Sequence, residues 1–154
     1  LDARLLTGID HQGAADDLSK FEEGTFDLVY ASHILEHFTR DKTFDTVKEW
    51  VRVLKKDGIL RLSVPSLESM IEIYQKTHNI DDVIGPMYGG QTYEQNFHYC
   101  IFDKASLKLL MEKCGLVAVH PWLYTRTEHS DYWDFSQALT HGIPISLNLE
   151  GRKK

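Results

Sequence analysis

The spacing of apolar residues changes period several times along this chain, and each change marks an element. Phe26-Asp27-Leu28-Val29-Tyr30-Ala31-Ser32 is entered through the turn pair Gly24-Thr25 and is nearly continuously apolar in its middle. That pattern predicts a strand buried on both faces of a parallel sheet. His33 to Phe38 predicts one or two helical turns. From Asp41 or Thr43 to Lys56 the period lengthens. Phe44, Val47, Val51 and Leu54 recur at three- and four-residue steps, predicting a helix with one apolar face. Asp45 in its first turn and Lys55-Lys56 in its last suit the helix dipole. Asp57-Gly58 supplies a turn, and Ile59 to Val64 reads as a strand stopped by Pro65. Strand, helix, turn and strand make a right-handed βαβ unit.

Beyond it the pattern loosens. Leu67, Met70, Ile71 and Tyr74 predict another helix, and 79–97 reads as irregular, broken by Gly85-Pro86 and Gly89-Gly90. Asp103 has the place of an N-cap for a helix whose apolar face is Leu107, Leu110, Met111 and Cys114, closed by Gly115. That places Cys114 in the core rather than among reactive thiols. Leu116 to Val119 predicts a strand, a polar loop rich in aromatics follows, and Ile143 to Leu149 alternates like a final strand. Strands alternating with helices give the α/β class, and 154 residues suit a single domain with its own core.

Composition narrows the function. A net charge of −6 speaks against a general nucleic-acid binder, and the basic end Arg152-Lys153-Lys154 reads as a solvated tail. No apolar run reaches the roughly 18 residues of a membrane span. Two cysteines without CxxC spacing make no disulfide framework and suit a reduced, cytoplasmic protein. The chain begins with Leu, and the expectation is that residues upstream are missing.

One word competes for a metal. His33-Ile34-Leu35-Glu36-His37 matches H-x-x-E-H, in which two histidines on one helix face hold zinc and the glutamate acts as base, here with Glu112 as a conceivable third ligand. Three fixed positions arise readily by chance in a chain with 8 His and 23 acidic residues, so no metal is expected. A zinc hydrolase stays an alternative.

The order of segments carries a resemblance. Asp17-Leu18-Ser19-Lys20-Phe21 precedes TFDLVYASHILEHF at 25–38, EWVRVLKKDG at 49–58 and LRLSVP at 60–65. Over about residues 14–66 the chain resembles the middle of the class I S-adenosylmethionine (SAM)-dependent methyltransferases of the type-11 group. Gly89-Gly90-Gln91, Asn96-Phe97-His98-Tyr99 and 143–148 resemble, more loosely, the tail of uncharacterised bacterial members. The resemblance implies a Rossmann-like sheet in the order 3-2-1-4-5-7-6, strand 7 antiparallel. Residues 26–32 would be its fourth strand, 59–64 its fifth, 116–119 would open its sixth, 143–149 would be its seventh, and Leu1 to Leu6 would be a remnant of its second. It implies SAM held by Asp2 at the ribose, by Asp17 and Leu18 at the adenine, and by Ala31, Ser32 and His33 at the methionine end. His98, then His33, are the implied bases, with His129 a further imidazole nearby. Trp122, Tyr124, Tyr132, Trp133 and Phe135 would either cap the pocket of a small-molecule or glycan-type acceptor or simply pack the long loop that carries them.

The family's first strand and its Gly-x-Gly loop have no counterpart here, since Gly89-Gly90-Gln91 follows a Pro-containing loop rather than an apolar strand. The expectation is an N-terminally truncated domain over 1–154. Without that strand, residues 26–32 would form an apolar sheet edge, to be covered by missing chain or by a second copy in a homo-oligomer. The alternative to catalysis is a binding or oligomerisation unit built on the same fold.

Overall fold

The computed structural model describes residues 10–127 and 133–154. Asp2, the Leu1 to Leu6 remnant, His129 and Tyr132 lie outside the described residues. The strands are β1 (Phe26–Ser32), β2 (Leu54–Pro65), β3 (Leu116–Pro121), β4 (Leu139–Thr140), β5 (Ile143–Pro144) and β6 (Ser146–Lys153). The helices are α1 (Thr43–Val53), α2 (Leu67–Thr77), α3 (Asp81–Tyr88) and α4 (Lys104–Lys113). One sheet runs β1-β2-β6-β3, and β4 and β5 form a small hairpin. β1 and β2 are parallel and joined by α1, while β6 is antiparallel to both β2 and β3.

The sheet has two unlike faces, because side chains alternate along each strand. Ala31, Leu60, Leu62, Val64 and Leu149 join Val47, Val51, Leu107 and Met111 of α1 and α4 in the main core. On the other face, the register sets Tyr30 beside Arg61 and Arg61 beside Glu150. Arg61 is 4% exposed, its Nε donates to Glu150 Oε2 at 2.7 Å, and its guanidinium lies 5.3 Å from the Trp122 ring. Trp122 Nε1 donates to Leu62 O at 2.9 Å, so a polar, paired layer lies under the loop that follows β3. This corrects the reading of residues 26–32 as buried on both faces. Of β1 only Ala31 is fully buried. Among the described residues β1 is an edge strand of its sheet.

α1 buries Val47 and Val51 of its expected apolar face, with Leu54 buried just past its end. Its buried residues are Thr43, Thr46, Val47, Trp50, Val51 and Val53, while Phe44 turns outward beneath Lys48 Nζ. The helix ends at Val53 rather than Lys56 because Leu54 already pairs with Phe26 of β1. The next pair along the register is Leu28 with Ile59, so 55–58 bulge out of β2. The expected turn at Asp57-Gly58 is that bulge. Asp57 has φ 64°, and a Cβ on Gly58 would come within 2.9 Å of Lys55 O.

α2 buries Met70 and Ile73, whereas Ile71 and Tyr74 are exposed. Within 79–97, expected to be irregular, α3 forms with Asp81 and Asp82 in its first turn. Pro86 sits in its last turn, has no N–H to give the ladder, and the helix stops two residues on at Tyr88. α2, α3 and the 143–145 segment enclose a second apolar cluster of Met70, Ile73, Val83, Ile143 and Ile145.

α4 follows the expectation closely. Asp103 caps it, with Ser106 N donating to Asp103 Oδ1 at 2.7 Å and Ser106 Oγ answering the Asp103 amide. Gly115 leaves it at φ 99°. Cys114 is buried, and burial pushes its thiol up to about 11, as befits a core residue. The basic end is not a free tail. β6 runs to Lys153, whose Nζ donates to Arg52 O at 3.0 Å and Leu54 O at 2.8 Å.

Candidate functional site

The carboxyl end of β1 is where the sequence places its chemistry, and the chain turns sharply there. His33 has φ 53°, uncommon for a residue with a side chain, and its amide donates to Ser63 O at 2.8 Å to prolong the ladder with β2. The ring bridges two groups. Its Nε2 lies 2.8 Å from Ser146 Oγ, and that hydroxyl gives its one proton to Phe135 O at 2.7 Å. Ser146 can therefore only accept from His33, so His33 Nε2 carries a proton. The other nitrogen, Nδ1, is 3.1 Å from Glu36 Oε1.

Glu36 belongs to the single 3-10 turn Leu35–His37 and its side chain is 0% exposed. Neither of its oxygens receives a hydrogen bond of good geometry, because His33 Nδ1 approaches Oε1 out of line. A buried carboxylate in that condition is costly unless something pairs with it. Its backbone carbonyl, by contrast, is doubly used. Tyr99 N and Cys100 N donate to Glu36 O at 2.8 and 3.3 Å, which stitches the 96–100 segment to the turn after β1.

That stitching brings in His98. His98 Nδ1 bonds Pro86 O at 2.8 Å, and His37 Nδ1 bonds Phe97 O at 3.0 Å. A carbonyl only accepts, so each Nδ1 holds the proton and each Nε2 is left with a lone pair. The two rings meet edge to face at 4.7 Å, and His98 Nε2 lies 4.0 Å from Glu36 Oε1. Burial, with smaller contributions from His37 and His33, lowers the His98 pKa against the opposing pull of Pro86 O and Glu36, so its ring is neutral at neutral pH. Gly89 makes the approach possible. It has φ 78° and ψ 170°, a region essentially reserved for glycine, and a Cβ there would stand 2.4 Å from Asn96 O and 3.1 Å from His98 Cδ2.

Tyr30 Oη donates to Asp134 Oδ2 at 2.6 Å, and Asp134 Oδ1 accepts from Ser136 N. Burial, then Asp134, raises the Tyr30 pKa. Burial works to raise that of Asp134, but the bonds from Ser136 and Tyr30 outweigh it and lower the pKa. The aromatic group splits. Trp122 is core, Phe135 packs its ring 5.4 Å from His33, and Trp133 is exposed.

Asp17 and Leu18 lie elsewhere, beside α1. Asp17 Oδ1 accepts from Ser19 N at 3.1 Å, and the Ser19 bonds lower its pKa. Leu18 is buried in the main core, and Leu18 O accepts from Arg52 Nη2 at 3.0 Å. Arg52 is in the last turn of α1, which packs toward the amino end of β1. His33, Glu36, His37 and His98 thus form one group, and Asp17 and Leu18 another. The zinc-peptidase geometry does not form. His33 and His37 share no helix face, since the helical turn is only Leu35–His37, and Glu112 stands on the surface of α4 near Lys108. The sequence singled out His33, Glu36 and His37 as one word and His98 apart from them. It missed Ser146 and Asp134, which look like ordinary polar residues until β6 and its preceding loop fold over β1.

Two comparisons bear on the fold. Residues 3–62 match the family model described as a methyltransferase domain.

The fold is that of the class I methyltransferases.

Among solved structures, a SAM-dependent methyltransferase from Thermotoga maritima is 19% identical with a TM-score of 0.55, over 94% of this chain and 63% of that one. One from Archaeoglobus fulgidus is 16% identical with a TM-score of 0.58, over 93% and 66%. One from Methanosarcina mazei is 21% identical with a TM-score of 0.56, again over 93% and 66%. This chain therefore spans about two thirds of the methyltransferase chains it resembles. No curated protein matches it. In this methyltransferase sheet, β1, β2, β3 and β6 stand where the fourth, fifth, sixth and seventh strands were expected, giving the order 4-5-7-6. No helix among the described residues is long and apolar enough to cross a membrane.

Proposed function

We propose that this chain is the acceptor-side part of a SAM-dependent methyltransferase domain that methylates a small molecule or glycan-type metabolite. The observation that supports it most is the β1-β2-β6-β3 order with β6 antiparallel, together with the family match over 3–62. In open α/β sheets ligands lie beyond the carboxyl ends of the strands, and the His33 turn is at such an end. The residues present fit a cofactor there. Ser32 Oγ, at the last residue of β1, is buried beside the Tyr30 hydroxyl, makes no hydrogen bond of good geometry among the described residues, and would bond a polar group of the ligand. Ala31 and His33 flank it toward the methionine end. Asp17 at the adenine and Asp2 at the ribose hydroxyls are carried over from the family resemblance alone, since Asp17 is held in the group packed toward the amino end of β1 and not at the His33 turn.

When bound, SAM supplies an electrophilic methyl group on a sulfonium. The chain's own residues then have two tasks, placing the acceptor and taking its proton. His33 is poorly suited to the second, with Nε2 already donating to Ser146. His98 Nε2 has a free lone pair on a neutral ring and is the better acceptor of a proton. The open edge of β1 would be covered by further chain or by a second copy.

Calorimetric titration of the full-length protein with SAM tests the reading. Dissociation constants in the micromolar range are expected. No heat at millimolar SAM would leave a methyltransferase fold used as a binding or oligomerisation unit.

A further inference from the structure

We propose that Glu36, His37 and His98 form a binding site for one divalent transition-metal ion, with Zn2+ the best fit. One ligand atom from each of the three residues lies within 4.8 Å of the others. The chemistry of the donors is right for such an ion. Two imidazoles and a carboxylate make a borderline set that suits zinc and its neighbours in the first row better than magnesium or calcium.

Three features separate this group from a chance meeting of polar side chains. Glu36 is 0% exposed, and among the described residues neither of its oxygens receives a hydrogen bond of good geometry, its nearest partner being His33 Nδ1 at 3.1 Å. Both histidines are oriented from behind. His37 Nδ1 is fixed by Phe97 O and His98 Nδ1 by Pro86 O, the arrangement by which an imidazole commits its Nε2 to a metal. The backbone is shaped to hold them there, since Gly89 lets the 96–98 segment close in and Tyr99 and Cys100 tie it to Glu36 O. What remains is a set of acceptors facing one another with no donor of good geometry between them, and a cation resolves that. With donors at about 2.1 Å from zinc, tetrahedral ligands stand about 3.3 Å apart. The 4.0 Å between His98 Nε2 and Glu36 Oε1 closes to that with a few tenths of an ångström of movement on each side.

Three protein ligands leave a fourth position open, and His37 is only half-buried, so that position faces outward. This is not the site first suggested by the His33-Glu36-His37 word. His33 points to Ser146 and positions Glu36, and the third ligand comes from His98, more than sixty residues downstream. The site stands independently of SAM. It also competes with the use of His98 as a base, because a metal-bound Nε2 takes no proton.

The test is titration of the metal-free full-length protein with Zn2+ alone by calorimetry, and with Co2+ followed by its visible ligand-field bands. One equivalent is expected to bind, and His98→Gln and His37→Gln are each expected to weaken it by on the order of tenfold or more. Undiminished binding in both variants would overturn the site, placing the ion at another pair such as His120 with Glu150 or His141 with Asp82. So would no binding to the wild type at micromolar Zn2+. If the variants fail to fold, ring-proton NMR of the wild type decides. Zn2+ should move the His37 and His98 signals and leave those of His78 and His120 in place, and the reverse pattern would refute it.

Discussion

Arg61→Met is expected to cost this fold about 3–5 kcal/mol, at the lower end of that range, measured by urea denaturation. The reason is the charge it strands. Arg61 is 4% exposed, pairs with Glu150 across the β2–β6 register and bonds its Oε2 at 2.7 Å. Methionine keeps most of the volume and the packing on Trp122 but leaves Glu150, 16% exposed at its side chain, without its main partner. His120 Nε2, 3.4 Å from Glu150 Oε1, recovers part of the loss. Removing both charges is a different matter. The double variant Arg61→Met/Glu150→Leu should regain most of the stability, because desolvating a buried pair costs nearly what its attraction returns. A single variant that loses less than about 1 kcal/mol would mean the pair is more solvated than its burial indicates.

Trp50→Ala is expected to lose a similar amount, about 3–5 kcal/mol, with a local signature the first variant lacks. Trp50 is 3% exposed in the main core, and its Nε1 donates to Ala15 O at 2.6 Å. Two residues on, Arg52 holds Leu18 O and Phe21 O. Together they clamp residues 15–21 to α1. Alanine opens a cavity and frees one end of that clamp, so trypsin should cut after Lys20 much faster than in the wild type. Trp50→Phe keeps most of the apolar area and should cost less than half as much. Equal protease resistance in the alanine variant would show that Arg52 alone holds the segment.

Much of this architecture was legible in the sequence, and the reasons differ by element. β1 was read to the residue because an apolar run between Gly24-Thr25 and the polar word after it has few other uses. α4 was equally plain, since Asp103 and Gly115 mark both its ends by side-chain and backbone chemistry that acts locally. α1 was placed correctly, with three of its four expected face residues buried, but its full core face was missed. Its burial is set by Trp50 and two threonines against the sheet, and the heavier Phe44 escapes to solvent, which no periodicity of apolar residues reveals. α3 was hidden by Gly85-Pro86, breakers that turn out to sit in the last turn of a short helix.

The site divides along the same line. His33 and His98 were picked out by their places after strands, and both belong to one group. Glu36 and His37 were noticed for a peptidase word that the fold does not build. What joins them to His98 is a pair of backbone bonds from Tyr99 and Cys100 to Glu36 O, and a loop that closes only because residue 89 is glycine. Those are long-range backbone matters, invisible to spacing. Asp17 and Leu18 lie apart from the His33 turn, Leu18 held by Arg52 of α1 and Asp17 by Ser19.

The claim at the centre is that SAM lies against the carboxyl end of β1. Backbone amide NMR of the full-length protein, recorded with increasing SAM, tests it directly. The account predicts that the amides of Ala31, Ser32 and His33 shift and saturate together, while Val117 and Lys153 at the far edge of the sheet stay where they are. Shifts that spare Ala31, Ser32 and His33, or no shifts at saturating SAM, would contradict it.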